Sequence, residues 1–110
     1  MKTSDLRAEA RLSVTQRASL SSGGDWFPCM ILDMSEKGFL LMSSRDLVVG
    51  QVLDFKCELF PGKVFECKLE IRHIGDAGVG TKIVEVDPKA KSISQLFLQE
   101  QYSGKLNQSG

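Results

Sequence analysis

Histidine occurs once in the chain, as His73, and this scarcity limits the catalytic chemistry that the sequence can support. His73 falls on the buried side of a predicted strand, where a lone histidine is more often a core residue than a base. Without another histidine, neither a Ser–His–Asp triad nor a Cys–His pair can be assembled. No glycine-rich phosphate loop of the P-loop or dinucleotide type is present. The sequence therefore predicts that the protein is not an enzyme and has no catalytic residue.

Cysteine is also sparse. Cys29, Cys57 and Cys67 form an odd set with no CxxC pair. Disulfide scaffolds use dense, even sets of cysteines, and zinc sites need paired ligands. All three cysteines lie in apolar strand segments, which raise a thiol pKa rather than lower it. We expect small buried thiols in a reducing compartment, no metal site and no cofactor.

Long apolar runs and net charge are missing as well. The longest runs, such as Phe39–Met42, are far shorter than the roughly 20 residues that span a bilayer. The N-terminus has no apolar segment typical of a signal peptide, so we expect a cytoplasmic protein without membrane insertion. Fourteen basic residues balance fourteen acidic ones. Since nucleic-acid affinity comes mostly from neutralising phosphates, and most of the aromatic residues fall at buried positions, we predict no nucleic-acid partner.

What the sequence does contain is the period-2 alternation of apolar and polar residues that is typical of β-strands. Two clear runs, 53–59 and 65–73, flank Pro61-Gly62 and predict an antiparallel hairpin. Four less regular strand segments are predicted at 11–22, 26–32, 39–43 and 78–86. Six strands at such spacings are typical of a barrel or sandwich rather than of βαβ units.

The periodicity changes near the C-terminus. Asp87 can act as an N-cap with Pro88 at the first helical position, which is a favourable helix start. The apolar stripe that follows at helical spacing consists of Ala90, Ile93, Leu96 and Phe97. We predict one amphipathic helix over 88–102, packed over an open end of the barrel, and a frayed tail over 103–110.

Two short motifs remain. Arg7–Arg11 has the form RxxxR and immediately precedes the first strand, and Asp33–Gly38 has the form DxSxxG and lies between the second and third strands. Each alone has a structural explanation. RxxxR can be a solvated charged terminus, and DxSxxG can be a hairpin turn in which Asp33 and Ser35 cap backbone groups and Gly38 adopts a positive φ.

In this order, within a short all-β chain, the two motifs resemble the PilZ domain family. The resemblance continues as strand spacing through Val79-Gly80 and the closing helix. It implies an all-β fold, a six-stranded antiparallel β-barrel of the split-barrel type with one C-terminal α-helix, forming a single domain over 1–102. It also implies that the chain binds the bacterial second messenger cyclic di-GMP.

By motif position, the resemblance implies that Arg7 and Arg11 clamp this ligand. A guanidinium group can bond a phosphate bidentately, bond guanine O6 and N7, or stack on a base. Asp33 would accept hydrogen bonds from a guanine edge, Ser35 would donate to a phosphate oxygen or hold the turn, and Gly38 would leave space for the base. Residues 1–11 would form a mobile arm that the ligand orders, and an unidentified downstream protein would recognise the ordered arm.

Two alternatives stay open at this point. Leu6 stands where some family members carry another arginine that helps to hold a second, stacked ligand, so its presence favours one ligand per chain without excluding two. The main rival function is that of a PilZ-fold adaptor that binds no nucleotide and acts through protein–protein contacts, for example in pilus assembly. The presence of both the arginine pair and the Asp-Ser turn favours ligand binding.

Overall fold

The computed structural model describes residues 12–109, which fold into six antiparallel strands and one helix. Arg7 and Arg11, with the rest of the predicted arm, lie outside the described residues. The elements are β1 (Leu12–Ser21), β2 (Trp26–Met34), β3 (Phe39–Ser43), β4 (Val52–Phe60), β5 (Lys63–Gly75), β6 (Gly78–Val86) and α1 (Pro88–Ser109). All six predicted strands and the predicted fold class are confirmed.

The strands form a closed barrel in the order β1-β2-β3-β6-β5-β4. Hairpin neighbours pair along most of their length, whereas the two seams between distant strands are short. Strand β3 pairs with β6 at two positions, and β1 pairs with β4 at three. Side chains add hydrogen bonds at both seams. Between β3 and β6, the Thr81 hydroxyl accepts from Phe39 N at 3.2 Å and donates to Phe39 O at 3.0 Å. Between β1 and β4, Gln16 Nε2 donates to Glu58 O.

The core of the barrel is built around three aromatic rings. Phe39, Phe55 and Phe65 are fully buried, and their ring centroids are 4.7 to 6.3 Å apart. Each comes from the inward side of a different strand. Burial of one such side chain contributes about 1.5–3 kcal/mol, so this cluster holds the strand register across the barrel.

The outward side of β4 and β5 carries complementary charges. Lys68 Nζ donates to Asp54 Oδ1 at 2.7 Å, and Arg72 lies 3.5 Å from Glu70. The hydrogen bond from Lys68 to Asp54, together with the charge of that carboxylate, raises the pKa of Lys68. The Asp54–Lys68 pair joins the two strands, and the Glu70–Arg72 pair lies along β5, so both belong to a solvated charged surface.

Helix α1 extends to Ser109, past the predicted end at residue 102, so most of the expected frayed tail is helical in the structure. The tail contains no proline, and the single Gly104 disfavours a helix by only about 1 kcal/mol. The predicted apolar stripe is wrong at Leu96, which is 48% exposed. The buried face instead continues from Phe97 to Leu98, and Phe97 meets the Phe60 ring edge-on at 5.6 Å. Among residues 12–109, no helix combines the length and the apolar character needed to cross a membrane.

Candidate ligand-binding site

The DxSxxG motif forms the connection between β2 and β3. Ser35 is 6% exposed and holds this turn from inside. Its backbone N–H donates to Gly38 O at 2.9 Å, its hydroxyl donates to the same oxygen at 3.4 Å, and Lys37 N donates to Ser35 Oγ at 3.3 Å. A buried hydroxyl that bonds two backbone groups, beside a backbone hydrogen bond across the same turn, fixes the shape of the turn.

Gly38 is needed for a different reason from the predicted one. The expectation of a positive φ is wrong, because the glycines with positive φ in the described residues are Gly23, Gly50, Gly62 and Gly78. A Cβ at Gly38 would instead lie 2.0 Å from the backbone oxygen of Thr81. The β6 backbone therefore passes directly against this glycine, and Ile83 N donates to Lys37 O at 2.7 Å beside it. Gly38 allows the motif turn to dock on β6.

Asp33 lies on the outer side of the barrel because β2 contains a register shift between Ile31 and Asp33. Ile31 and Met34 are both fully buried although they are three residues apart, so the alternation of inward and outward side chains shifts by one residue between them. Asp33 is therefore half-buried on the outer side. It stands opposite Ser13 of β1 and Leu40 of β3. A β-bulge of this kind re-aims a side chain.

His73 also departs from its predicted position. The prediction that it is buried is wrong: His73 is exposed, because a second register shift lies between Ile71 and His73 on β5. It stands opposite Gly80 on β6, and Gly80 stands opposite Leu40. Since directly opposed residues share a face of the sheet, one cross-strand row on the outer side contains Asp33, Leu40, Gly80 and His73. The sequence did not predict that His73 is exposed, because a β-bulge cannot be recognised from the alternation of apolar and polar residues.

The predicted site residues are thus only partly brought together. Asp33, Ser35 and Gly38 lie within one turn and its flanking strand. Exposed Lys37 lies in the same turn, and exposed Lys82 lies two positions beyond Gly80 on β6. Exposed Glu36 lies in the same turn and Glu70 is opposite Lys82, so the described residues give this face no net positive charge.

The cysteines match their predicted environment. All three are free and buried. Burial raises the pKa of the Cys29 and Cys57 thiols from 9.0 to about 12, and it raises the pKa of Cys67 as well. These thiols are protonated at neutral pH, so none of them is an activated nucleophile.

A separate groove of about 700 Å³ is lined by residues of strands β1 to β5. Its lining includes Arg17, Met30, Met42, Lys56 and Val64, and no residue of the DxSxxG motif. Met42 and Val64 are 58% and 50% exposed. The sequence did not predict this groove, because its lining residues come from five strands that pair only in the folded barrel.

Solved structures of similar fold include the PilZ domain of CeSA from a cellulose-synthesizing bacterium. It has a TM-score of 0.58 and 17% identity, with 80% of this chain and 92% of that chain covered. An uncharacterized Legionella protein has a TM-score of 0.52 and 16% identity, with 89% of this chain and 97% of that chain covered. At these identities the likeness shows the fold alone. No curated protein matches the chain. The family profile described as "PilZ domain" matches residues 5–100, which include the RxxxR motif, the DxSxxG turn and the whole barrel, so the chain belongs to the PilZ domain family.

Proposed function

We propose that this chain is a cyclic di-GMP receptor domain that passes the signal to a protein partner. The PilZ family, to which the chain belongs, is known for regulatory receptor domains of this messenger. The observation that carries the proposal for this particular chain is the geometry of the Asp33–Gly38 turn. Ser35 fixes the turn by three hydrogen bonds, and the bulge in β2 places Asp33 on the outer face beside it.

The chemistry of Asp33 suits a guanine. A carboxylate accepts hydrogen bonds, and the N1 and N2 groups of guanine present two donors side by side, which adenine does not offer. Of the two roles considered for Ser35, the geometry supports the one that holds the turn, because its hydroxyl is buried and bonded to Gly38 O. We assign guanine recognition to Asp33 and its positioning to Ser35 and Gly38.

Arg7 and Arg11 would supply the positive charge that the dianionic ligand requires. Each charge-assisted hydrogen bond contributes about 1.5–3 kcal/mol where water is excluded. Three or four such contacts, less the cost of ordering the arm, are compatible with micromolar binding at about −8 kcal/mol. We place the receptor in the cytoplasm, since three free buried cysteines are typical of a reducing compartment.

Isothermal titration calorimetry with cyclic di-GMP tests the ligand, and cyclic di-AMP is the matched control. We expect binding of one or two cyclic di-GMP molecules per chain and little heat with the adenine analogue. Arg11→Ala should weaken binding by at least ~1.5 kcal/mol, because it removes charge-assisted contacts. Arg17→Ala removes an exposed arginine of β1 and serves as its control. Unchanged affinity in Arg11→Ala would mean that the clamp is assigned to the wrong residues.

The ordering of the arm has its own test. Amide hydrogen exchange over residues 4–12 should slow when cyclic di-GMP is added, because a bound arm protects its backbone. Equal exchange rates with and without ligand would show that binding does not order this segment.

The second candidate function is the PilZ-fold adaptor that binds no nucleotide. The observation in its favour is the groove beside Met42 and Val64, because contiguous exposed apolar surface marks sites of interaction. Absence of heat with cyclic di-GMP at high-micromolar protein would favour the adaptor over the receptor.

A further inference from the structure

We propose that the groove lined by strands β1 to β5 binds a long-chain carboxylate, with the apolar chain in the groove and the carboxylate on Arg17. No residue of the DxSxxG motif lines this groove, so the site is separate from the Asp33–Gly38 turn. The inference goes beyond the proposed receptor function and does not rest on it.

The groove lies where β1 and β4 stop pairing. The last pair in their register is Ser19 with Lys56, although both strands continue beyond it. Ala18 and Cys57 come directly after this pair, and both are buried and line the groove. Cys29, which is opposite Ala18 on β2, is a third small residue of the lining. Small side chains at the point where two strands separate leave room for an apolar chain.

The walls of the groove are apolar and adaptable. Met30 and Met42 are opposite each other on β2 and β3, and Pro28 and Val64 extend the apolar lining. Methionine has three rotatable bonds and a polarizable thioether, so it can adapt to a flexible ligand. Ligand sites in proteins typically have volumes of about 300–1,000 Å³ and mostly apolar linings. This groove, at about 700 Å³, has both properties.

Several polar side chains at the groove are already bonded within the protein. The Ser43 and Ser44 hydroxyls donate to backbone oxygens at 2.7 and 2.9 Å. The Glu58 carboxylate accepts from Gly62 N at 2.6 Å. A ligand with many polar groups would find few partners here, because these donors and acceptors are occupied. The lining therefore favours a plain hydrocarbon chain.

The charges at the groove select the head group of the ligand. Arg17 is exposed, and among residues 12–109 its guanidinium takes part in no hydrogen bond or ion pair. Lys56 is the second cation of the lining, and its ammonium lies 4.2 Å from the centroid of the Trp26 ring. These two cations against Glu58 leave one positive charge, which a monoanion neutralises. A guanidinium binds a carboxylate through two parallel hydrogen bonds, so we assign the carboxylate to Arg17.

Isothermal titration calorimetry below the micellar concentration tests the chain and the head group separately. From octanoate to dodecanoate, the Kd should fall about fourfold per methylene, because burial of one CH₂ contributes about 0.8 kcal/mol. Dodecyltrimethylammonium has the same chain with a cationic head and should bind at least tenfold more weakly than dodecanoate. Equal affinity for the two head groups, or a Kd independent of chain length, would overturn the proposal.

The four methionines of the chain report where the ligand lies. In a spectrum of ¹³C-labelled methionine methyl groups, assigned by Met→Leu substitution, dodecanoate should shift the signals of Met30 and Met42. Met34 is fully buried and is not part of the lining, so its signal should stay in place. A shift of Met34 as large as the other two would mean that dodecanoate perturbs the whole fold and would overturn a site in the groove.

Matched variants at exposed positions test the assigned residues by calorimetry. Val64→Thr places a hydroxyl in the groove and should raise the Kd of dodecanoate about fivefold, whereas Val84→Thr makes the same change on β6 outside the lining and should leave it unchanged. Arg17→Gln should raise the Kd at least tenfold. Arg72→Gln changes an exposed arginine of β5 outside the lining and should have no effect.

The outcomes decide for or against the long-chain carboxylate. Weaker binding in Val64→Thr and Arg17→Gln, with both controls at the wild-type Kd, supports it. A wild-type Kd in both groove variants would overturn it. Dimerisation in light scattering that Val64→Thr abolishes would assign the groove to a second copy of the chain and would also overturn it. Calorimetry with cyclic di-GMP decides the receptor function independently, since the two sites share no residue.

Discussion

At the scale of single residues, Gly38 and Gly24 offer a matched pair of glycines. A Cβ at Gly38 would lie 2.0 Å from Thr81 O and 2.9 Å from Thr81 C, whereas a Cβ at Gly24 meets nothing within 4 Å. Neither residue has a positive φ. We expect Gly38→Ala to lower the free energy of unfolding by about 3 kcal/mol or more, because the β6 backbone must move away.

Urea denaturation measures both substitutions. Gly24→Ala should be neutral or stabilising by up to about 1 kcal/mol, because it restricts the unfolded chain without a clash. If Gly38→Ala were as stable as Gly24→Ala, the close approach of β6 to the motif turn would be refuted. The requirement for glycine at position 38 is therefore a packing requirement, in addition to any role toward a ligand.

Two further residues, Asp33 and His73, show how a bulge changes the role of a side chain. Simple alternation from Ile31 would put Asp33 inward, and alternation from Ile71 would put His73 inward. The register shifts at these two points put both side chains on the outer face instead. One extra residue in a strand moves every later side chain to the other face.

At the scale of elements, helix α1 provides a test of which face is buried. Phe97 is buried against the Phe60 ring at 5.6 Å, whereas its neighbour Leu96 is 48% exposed. We expect Phe97→Ala to lower the free energy of unfolding by about 3–5 kcal/mol, because it leaves a cavity between the helix and β4. Leu96→Ala should change it by less than about 0.5 kcal/mol.

Chemical denaturation measures the free energy of unfolding of Phe97→Ala and Leu96→Ala and so shows which face of the helix is buried. Equal losses in both would mean that the helix packs with a different rotation about its axis. The sequence pattern indicated an amphipathic helix, but Leu96 and Leu98 are both apolar and flank Phe97. Only contact with β4 and β5 selects Leu98 over Leu96.

At the scale of the whole molecule, the buried thiols make stability depend on alkaline pH. In the unfolded chain these thiols titrate at an ordinary pKa of 9.0, whereas burial raises the pKa of Cys29 and Cys57 to about 12 in the folded chain. Above pH 9 the unfolded state releases protons that the folded state keeps. The free energy of unfolding should therefore fall as pH rises from 9 toward 12, with no contribution from these groups below pH 9.

Urea unfolding at several pH values between 8 and 11 measures this dependence. Cys29→Ala should show a shallower fall than wild type, because one titrating thiol is removed. The comparison uses the slope of the free energy of unfolding against pH and not its absolute value, since the substitution also changes packing. An identical slope in the variant would show that the Cys29 thiol does not carry the effect.

The sequence by itself determined the local features of this protein. Alternation of apolar and polar residues predicted the β4–β5 hairpin, and less regular apolar segments predicted the other four strands. Pro61-Gly62 set the β4–β5 turn, where Gly62 has a φ of +79°. The two motifs, in order, indicated the family that the profile match over residues 5–100 confirms. The assignments of Arg7, Arg11 and Asp33 to the ligand remain predictions.

Only the tertiary structure decided the features that depend on pairing between distant strands. The seam of β3 with β6 brings Gly38 against Thr81 and sets Gly80 beside Leu40. The bulge at His73 turns a predicted core residue into an exposed one. The physical reason is that a β-strand's own residues fix its period, whereas its register and bulges are fixed by the neighbour against which it packs.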